Sequence, residues 1–429
     1  MNKPLIARSL AIMGSLALSQ TAGASGFQLL EQNASGLGNA YAGSAASAEN
    51  ASIIFYNPAG MTELKDREFS LGMSLIKPSY KFKDNGSSNA PAATGGDGGD
   101  AGSLAALPNA YFSMALARDW YLGLGLGSPF GLKTDYSPDW TGRFQSIKFD
   151  IKTYNINPSL AWRVTDTLSL GAGLNWQRME AQYERMAATA SSALPSAFWP
   201  TLQGTRVALD ATSEGWGWNA GALFKPSART RIGFSYRSAI KHDLGGTLKS
   251  TNQAISPDVL ATASLKLPDT YILSVAQQIS PQWEMLGDIS RTGWSKINTI
   301  DIVRASGSAS GSTAQTLDAR FRDTWRVALG ANYRLDDKWK LRYGIAWDQS
   351  PVRSASERLV SLPDNNRIWL SLGAGYALDK DSRIDVGAAY LIIKDTAIDN
   401  NQTSLGRGRI AGKYEGSVAI LGLQYSQAF

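Results

Sequence analysis

From about residue 67 onward, apolar or aromatic residues alternate with small or polar residues over segments of about ten residues. In one such segment the apolar face is Tyr154, Ile156, Pro158, Leu160, Trp162 and Val164, and the opposite face is Asn155, Asn157, Ser159, Ala161 and Arg163. A period of two residues is the period of a β-strand, whose side chains point alternately to its two faces. The chain is therefore predicted to consist mainly of β-strands.

The same alternation occurs in soluble β-sandwiches, so a second property has to separate a sandwich from a membrane barrel. Tyr and Trp occur at the ends of the apolar faces, where a strand that spans a membrane meets the two interfaces. The opposite faces carry Arg, Asn, Gln and Asp, which suit a wet lumen better than a packed core. The 42 glycines, 13 tryptophans and 16 tyrosines, with only 18% charged residues, agree with many strands anchored by aromatic residues.

Connections between the predicted strands alternate in length. Short turns are predicted at residues 163–168, 225–230, 279–283, 335–339 and 378–382, and long polar loops at 83–103, 184–205, 249–264, 305–316 and 396–410. Short turns at one end and long loops at the other are typical of outer-membrane barrels, which have an even number of strands. The number of predicted strands between Arg67 and the terminal Phe429 is about fourteen. We therefore predict an all-β membrane protein, an antiparallel barrel of about fourteen strands.

The N-terminus has the features of a secretory signal peptide. Lys3 and Arg8 precede the apolar run from Leu10 to Leu18, and Ala22-Gly23-Ala24 follows as a small-residue cleavage site. We therefore predict that residues 1–24 are removed and that the mature protein is exported. No later stretch reaches the ~18 uncharged apolar residues that a spanning helix requires, so a membrane-embedded form has to cross with strands.

Residues 25–66 do not follow the period of two. They are rich in Ala, Gly, Ser and Asn, with an Asn57-Pro58 turn signal. Composition alone is compatible with a flexible linker. The apolar side chains are too many for a solvated linker, however, and they include Phe27, Leu29, Leu30, Tyr41, Ile53, Ile54, Phe55, Tyr56 and Met61. A small helical plug, or hatch, inside the barrel that spans residues 67–429 accounts for them better.

Composition and motifs exclude several other classes of protein. The net charge of +6 is spread along the chain, so no nucleic-acid partner is predicted. The chain has no cysteine, and its single histidine, His242, cannot form a metal site based on histidine, so no metal or cofactor is predicted. There is no Gly-x-Ser-x-Gly motif and no candidate catalytic group, which argues against an enzyme.

One predicted strand is interrupted in the segment Tyr121 to Leu132, "YLGLGLGSPFGL". Pro129 removes a backbone donor, and Gly127 and Gly131 permit dihedral angles that other residues resist. An ordinary β-bulge explains this pattern, and so does an opening in the barrel wall.

Blocks of sequence along almost the whole mature chain resemble the FadL family of outer-membrane channels for long-chain fatty acids and other hydrophobic compounds. In family order, these are "GFQLLEQNASGLGNAYAG" and "NPA" in the hatch, then "SPFGLKTDY", "GWGWNAGALF", "GFSYRSAIKHDLGG", "LPDTYILSVAQQISPQWEM", "WSK" and "FRDTWRVALGANYRLDDKWKLRYGIAWDQSPV" with "LPDNNRIWLSLGAGYAL". The resemblance implies a fourteen-stranded barrel with an N-terminal hatch, capture of substrate among the outer loops, a lumenal pocket and lateral exit at a kink in the third strand.

The resemblance also implies residues for that exit. The kink corresponds to the interrupted segment with Gly127, Pro129, Phe130 and Gly131, and the hatch residues Asn57, Pro58 and Ala59 are expected to lie against it. Phe27, close to the mature N-terminus, is expected to reach the ligand pocket.

Arg185 matches a family position at which an arginine faces the carboxylate of the ligand. Without the family, Arg185 is equally compatible with a rim arginine that serves solubility. The second basic position of the family falls near Leu317, where only the neighbours Arg320 and Arg322 are basic. Because the second basic residue is absent at this position, a neutral aromatic hydrocarbon is an alternative substrate to a fatty acid.

The outer loop at residues 190–204 contains Leu194, Phe198, Trp199 and Leu202 among small residues, which indicates a capture surface for a hydrophobic ligand. A loop helix packed on the barrel rim is the alternative. The predicted partners are a hydrophobic small molecule, outer-membrane lipid and lipopolysaccharide, and the protein is expected to be a monomer. The alternative function is a receptor or structural barrel that transports nothing.

Overall fold

In the computed structural model, which describes residues 26–429, one antiparallel β-sheet closes on itself. The first strand, β1, pairs with β2 on one side and with the last strand, β20, on the other. The predicted signal peptide (1–24) and residue 25 lie outside the described residues. The strands are β1 (Arg67–Asp84), β2 (Ala105–Ala117), β3 (Trp120–Gly127), β4 (Gly131–Asp135), β5 (Lys148–Arg163), β6 (Leu168–Met186), β7 (Arg206–Ser227), β8 (Thr230–Arg237), β9 (Ile240–Ser250), β10 (Val259–Leu267), β11 (Thr270–Gln278), β12 (Trp283–Thr292), β13 (Thr299–Arg304), β14 (Thr313–Asp318), β15 (Thr324–Arg334), β16 (Trp339–Asp348), β17 (Arg367–Ala377), β18 (Ser382–Ile393), β19 (Thr396–Asn401) and β20 (Arg409–Ala428).

Within residues 26–429, six barrel strands are each interrupted once, so that two consecutive elements form one crossing of the wall. These pairs are β3 with β4, β8 with β9, β10 with β11, β12 with β13, β14 with β15, and β18 with β19. The described chain therefore crosses the wall fourteen times, and the predicted barrel is confirmed. The helices are short: α1 (Ala34–Leu37), α2 (Ile53–Tyr56), α3 (Trp199–Gly204) and the 3₁₀-helices Pro58–Glu63, Ser196–Phe198, Trp294–Lys296 and Thr403–Leu405. No helix within residues 26–429 is long and apolar enough to cross a membrane.

The outer face of the barrel is apolar and is bordered by aromatic side chains. Leu421 and Leu423 of β20 are more than half exposed, as the alternation predicts for residues that contact lipid. At the short-turn end the rings of Trp120 and Trp162 stack with their centroids 5.4 Å apart. The outer face thus matches the acyl region and one interface of a membrane.

The long loops differ in part from those expected. Two further long connections, residues 136–147 and 349–366, join β4 to β5 and β16 to β17. In the first of these connections the aromatic side chains Tyr136, Trp140 and Phe144 are buried. Three of the predicted loops, 249–264, 305–316 and 396–410, are partly strand, since β10 begins at Val259, β14 begins at Thr313 and β19 covers Thr396–Asn401.

The N-terminal residues from Gly26 to Glu63 lie inside the barrel, so the linker interpretation is wrong and the plug is confirmed. Glycines on the inner wall permit this packing. A Cβ atom added at Gly344 would lie 2.1 Å from the backbone of Asn39, and one added at Gly233 would lie 2.0 Å from that of Ala45. The backbone of the hatch therefore packs directly on the backbone of the wall.

One buried ion cluster holds the hatch to the wall near the short-turn end. We call it the Glu49 cluster; its members are Glu49, Lys340, Arg342, Arg383 and Asp385. Glu49 Oε2 lies 2.7 Å from Arg342 Nη2, and Glu49 Oε1 lies 3.0 Å from Lys340 Nζ. Arg342, whose side chain is 1% exposed, also pairs with Asp385 at 2.9 Å. Burial opposes ionisation of Glu49, but Lys340, Arg342 and Arg383 outweigh it and hold the pKa of Glu49 well below its ordinary value.

Candidate functional site

The interruption in the third barrel strand leaves a gap in the wall. β2 pairs with β3 as far as the pair Ala110 and Leu126, and β5 pairs with both β3 and β4. No ladder within residues 26–429 joins β4 to residues 105–109 of β2. A β-bulge leaves the ladder intact on either side, so the break differs from a bulge.

The hatch supplies hydrogen bonds that the broken ladder lacks. The backbone N–H of Leu29 donates to the carbonyl of Pro129 at 2.8 Å, and the N–H of Gly131 donates to the carbonyl of Phe27 at 2.9 Å. The Gln32 side chain donates to the carbonyl of Ser128 at 2.8 Å and accepts from its N–H at 3.2 Å. The hatch therefore acts as a short partner strand at the gap, which satisfies backbone groups that are costly to leave unpaired near lipid.

Replacing Gln32 with Leu tests this role. The change removes both side-chain hydrogen bonds to Ser128, and a buried backbone group without a partner costs about 1–3 kcal/mol. We expect amide exchange at residues 128–131 to become faster by about tenfold or more, measured by hydrogen exchange with mass spectrometry. Gln28→Leu is the matched control, because the Gln28 amide bonds to Thr270 and Thr292 instead. Equal protection in the two variants would contradict the role of Gln32.

A cavity of about 790 Å³ passes through the gap. On the lumenal side Tyr80, Glu31, Arg367 and Trp369 line it. Towards the outer face its lining is mostly aliphatic or small, and includes Leu71, Leu104, Ala105, Ala106, Leu126 and Ile156. Leu71 and Leu104 are also among the most exposed apolar residues of the outer surface. A continuous and largely apolar passage thus connects the lumen with the surface that contacts lipid.

Aromatic side chains meet at the inner end of this passage. The Phe27 ring lies 4.8 Å from that of Trp294 and 6.1 Å from that of Phe130, measured between centroids. All three rings are buried, and Phe321 also contacts Trp294. Phe27 and Phe130, both predicted site residues, are thus brought together. Trp294 was not predicted, although it lies in the "WSK" block; its inward position follows from the break between β12 and β13.

From these rings an apolar lining extends towards the long-loop end of the lumen. We call it the lumenal apolar cluster; it includes Phe27, Phe130, Met179, Tyr183, Leu209, Leu244, Leu248, Leu265, Trp294, Ile302, Leu317 and Phe321. Leu317, where the family resemblance called for a base, is 7% exposed and belongs to this lining.

Arg185 lies at the outer end of the lumenal apolar cluster, beside a cavity of about 180 Å³. Its Nε donates to Gln315 Oε1 at 2.9 Å, and its Nη1 donates to the carbonyls of Met186 and Ala187. Arg185 is only 8% exposed, so the interpretation as a solvated rim arginine does not describe its environment.

Two further arginines lie near Arg185. Arg304 lines the same cavity, and the charges of Arg304 and Arg407 both repel that of Arg185. Arg407 is 8% exposed, and burial lowers its pKa. We call Arg185, Arg304 and Arg407 the arginine triad. None of the three forms an ion pair with a carboxylate in the part of the chain that the structure describes; their hydrogen-bond partners include Gln315, Ser312 and Gln402. Sequence analysis missed Arg304 and Arg407, because they come from other strands and loops than Arg185.

The predicted ligand residues of the outer loop at 190–204 differ in their exposure and contacts. Leu202, in α3, is buried and lines the cavity of the triad, whereas Phe198 is 50% exposed at the loop surface. Trp199 Nε1 donates to the carbonyls of Ser191 and Leu194 within the same loop, so this side chain packs on its own loop, and the capture surface stays a prediction.

Arg320 and Arg322 are not brought to the triad. Arg320 forms an ion pair with Asp318 at 2.7 Å, and its side chain is 56% exposed. Arg322 Nε donates to the carbonyl of Ser350 at 3.0 Å.

The expected contact of Asn57, Pro58 and Ala59 with the kink is corrected by the structure. Asn57 Nδ2 donates to the carbonyls of Ala45 and Ala222, at 2.7 and 3.0 Å, and a Cβ at Gly171 would meet Pro58 and Ala59. These residues therefore lie against β6 and β7, the fifth and sixth barrel strands. The kink is contacted instead by residues 27–32, because the extended start of the hatch can pair with a broken strand and a 3₁₀ turn cannot.

Together, the plugged lumen, the gap and the buried cations define an outer-membrane transport barrel with an internal hatch. The model of the outer membrane protein transport protein family (OMPP1/FadL/TodX) matches residues 15–429, and the chain belongs to this family.

Individual relatives cover the full length of the chain. A long-chain fatty acid transport protein of Escherichia coli K12 is 31% identical over 459 residues, covering 100% of this chain and 99% of the relative. Outer membrane protein P1 of Haemophilus influenzae Rd is 32% identical over 402 residues, 86% of each chain. Among solved structures, a Pseudomonas aeruginosa FadL homologue superimposes with a TM-score of 0.85 at 25% identity, covering 94% of this chain and 99% of that one. The Pseudomonas putida toluene transporter TodX superimposes with a TM-score of 0.69 at 19% identity, with 94% of this chain covered, which shows the shared fold.

Proposed function

We propose that this protein takes up long-chain fatty acids, or similar amphiphiles with an acidic headgroup, by passive passage through the outer membrane. The observation that carries this proposal is the arginine triad at one end of the lumenal apolar cluster. A buried arginine without a carboxylate partner is costly, and a ligand with one carboxylate and an apolar tail supplies both missing contacts. The relatives named as long-chain fatty acid transport proteins support the same substrate class.

The proposed route has three steps. The ligand is captured at the outer loop that carries Phe198 and Trp199, and it then binds with its headgroup at the triad and its tail along the lumenal apolar cluster. It leaves sideways past Phe27, through the gap between β2 and β4, into the outer membrane. The passage through the wall supports this last step, because its largely apolar lining suits an alkyl chain.

Arg185→Gln tests the headgroup site. Removing a hydrogen bond to a charged group costs about 1.5–3 kcal/mol, so we expect the affinity for a long-chain fatty acid to fall by about ten- to a hundredfold. The affinity for an alcohol of the same chain length should change little. Binding of both probes to the purified protein, measured by displacement of a fluorescent fatty acid, checks this.

Arg206→Gln is the matched control for that experiment. Arg206 lies on β7 opposite Met186, the residue that follows Arg185, but it pairs with Glu184 at 2.8 Å and its side chain is 39% exposed. If Arg185→Gln binds the fatty acid as tightly as Arg206→Gln does, the headgroup assignment is wrong.

A small aromatic hydrocarbon is the alternative substrate, favoured by the apolar Leu317 at the second basic position of the family. In the same assay, a toluene-like compound that displaces the probe where a fatty acid does not would support this alternative. A wild-type protein that binds neither compound would favour a receptor or structural barrel.

We further propose how the protein is processed and what surrounds it. Residues 1–24 act as a cleaved signal peptide, 25–66 form the hatch domain and 67–429 the barrel. The protein is a monomer without enzymatic activity. Beyond the apolar band, exposed charges such as Lys152 and Lys241 face the headgroups of lipid and lipopolysaccharide.

A further inference from the structure

Glu31 is a buried carboxyl group on the passage through the wall. It belongs to the hatch, is 5% exposed, and lines the 790 Å³ cavity on its lumenal side. Its Oε2 atom has no hydrogen-bond partner among residues 26–429. A buried polar atom without a partner is uncommon in a folded protein, and it indicates a missing ligand or water when it borders a cavity.

The groups around Glu31 leave it without a close cation of its own. The nearby tyrosine hydroxyls donate to backbone carbonyls instead: Tyr41 to Asn33, Tyr56 to Leu30 and Tyr111 to Gln32. Five titratable side chains interact electrostatically with Glu31. Two belong to the hatch and three to β15, β16 and β17: Tyr41, Tyr56, Arg326, Asp348 and Arg367.

Both arginines in this set already have other partners. Arg367 Nε lies 3.5 Å from Asp348 Oδ2, and Arg326 Nη2 donates to the carbonyl of Ala40 at 2.6 Å. Burial, the largest influence, raises the pKa of Glu31 in spite of these arginines. Among residues 26–429, Glu31 forms no ion pair and its Oε2 has no partner, so the charged form of this buried group is costly and the geometry favours the protonated carboxyl group.

A fatty acid that leaves through the gap exchanges an aqueous lumen for hydrocarbon. Taking an ionised carboxylate out of water is far more costly than protonating it first, because an isolated charge in a medium of low dielectric constant loses its hydration. A proton donor therefore lowers the cost of exit most if it protonates the carboxylate of the ligand inside the passage, before the headgroup reaches the outer face. Glu31 is a carboxyl group that lines the lumenal side of this passage.

We propose that Glu31 protonates the carboxylate of the ligand within the passage, so that the ligand enters the membrane as a neutral acid. This rests on the proposed fatty acid function. The O–H bond of Glu31 breaks, an O–H bond forms on the ligand, and the negative charge passes from the ligand to Glu31. Arg326 and Arg367 stabilise the resulting Glu31 carboxylate until it takes up a proton from water in the lumen.

Glu31→Gln tests this inference, because the amide preserves the shape and hydrogen bonding of the side chain but has no acidic proton. The probes are oleic acid and oleyl alcohol, added to proteoliposomes or to cells that express the protein. At pH 7.5 we expect uptake of oleic acid to fall by about tenfold, as for the loss of a positioned proton donor, with uptake of oleyl alcohol unchanged. At pH 5 the uptake of oleic acid by the variant should recover towards that of the wild type, since more of the ligand is then protonated in water.

Glu68→Gln is the matched control. Glu68 is also buried, at 7% exposure, but its Oε1 accepts from the N–H of Ala51 and it does not line the passage. Uptake of oleic acid by Glu31→Gln within twofold of the wild type overturns the inference, and so does an equal loss for both probes. A wild-type protein that transports neither probe contradicts the proposed function instead. Heat-modifiable migration on gels confirms that each variant forms a folded barrel.

Discussion

Replacing Ala106 with Trp is expected to abolish most of the uptake of a long-chain fatty acid while leaving its binding intact. Ala106 is a small, exposed residue that lines the gap, and it lies within residues 105–109 of β2, the stretch that has no partner on the side of β4. An indole ring at this position fills the passage from its outer side. A barrier higher by only about 1.4 kcal/mol slows passage tenfold, and we expect uptake to fall by at least that factor.

The measurement compares two quantities on the same variant. The initial rate of uptake of labelled fatty acid reports passage, and equilibrium binding to the purified protein reports the triad, which lies at the outer end of the lumen. Ala172→Trp is the control: Ala172 is an exposed residue on the outer face of β6, away from the gap. If both tryptophan variants take up fatty acid at the same rate, the gap is not the exit.

Replacing Glu49 with Ala is expected to destabilise the hatch by about 3 kcal/mol or more. The change leaves Arg342 and Lys340 without their shared carboxylate, and breaking a buried ion pair by removing one partner typically costs about 3–5 kcal/mol. Hydrogen exchange or limited proteolysis of residues 34–63 measures the effect. Glu63→Gln is the control, since Glu63 pairs with Lys225 at 2.6 Å but both side chains are partly exposed, and exposed pairs contribute about 0–1 kcal/mol. Equal protection of the hatch in the two variants would show that the Glu49 cluster does not hold it.

The same cluster predicts how the hatch responds to acid. The pKa of Glu49 is depressed in the folded state, because Lys340, Arg342 and Arg383 favour the carboxylate in spite of its burial. A depressed pKa contributes stability that is fully present above the ordinary value of 4.5 and is lost as the pH falls from 4.5 through the folded pKa. We expect protection of the hatch to decrease over this range in the wild type. Glu49→Gln should lack this component of the decrease.

Local pattern was enough to predict most of the barrel. The alternation around Tyr154 separated the residues of the outer face from those of the lumen, because side chains in a strand alternate whatever the strand pairs with. The burial of the aromatic residues in the 136–147 loop was not predicted from this pattern. Their burial depends on loop packing, which has no period in the sequence.

The candidate site was only partly accessible from sequence. Arg185 and Phe27 were found through the family resemblance; Phe27 belongs to the lumenal apolar cluster and Arg185 lies at its outer end. Arg304, Arg407 and Glu31 were missed. The sequence around a charged residue does not show whether its side chain is buried without a charged partner or exposed at the surface. Burial is decided by residues that are far away in the chain.

The sequence by itself determined the class of protein: a β-barrel of about fourteen strands, with apolar and aromatic residues facing outwards and an apolar plug at its start. Only the tertiary structure decided what closes the interrupted strand and where the charges meet. Gln32 and Ser128 are 96 residues apart, and the arginine triad joins three separate segments of the chain. Such contacts arise because the barrel closes around the hatch and brings remote strands to the same level along the barrel axis. The period of two residues along the chain does not specify which remote residues will meet there.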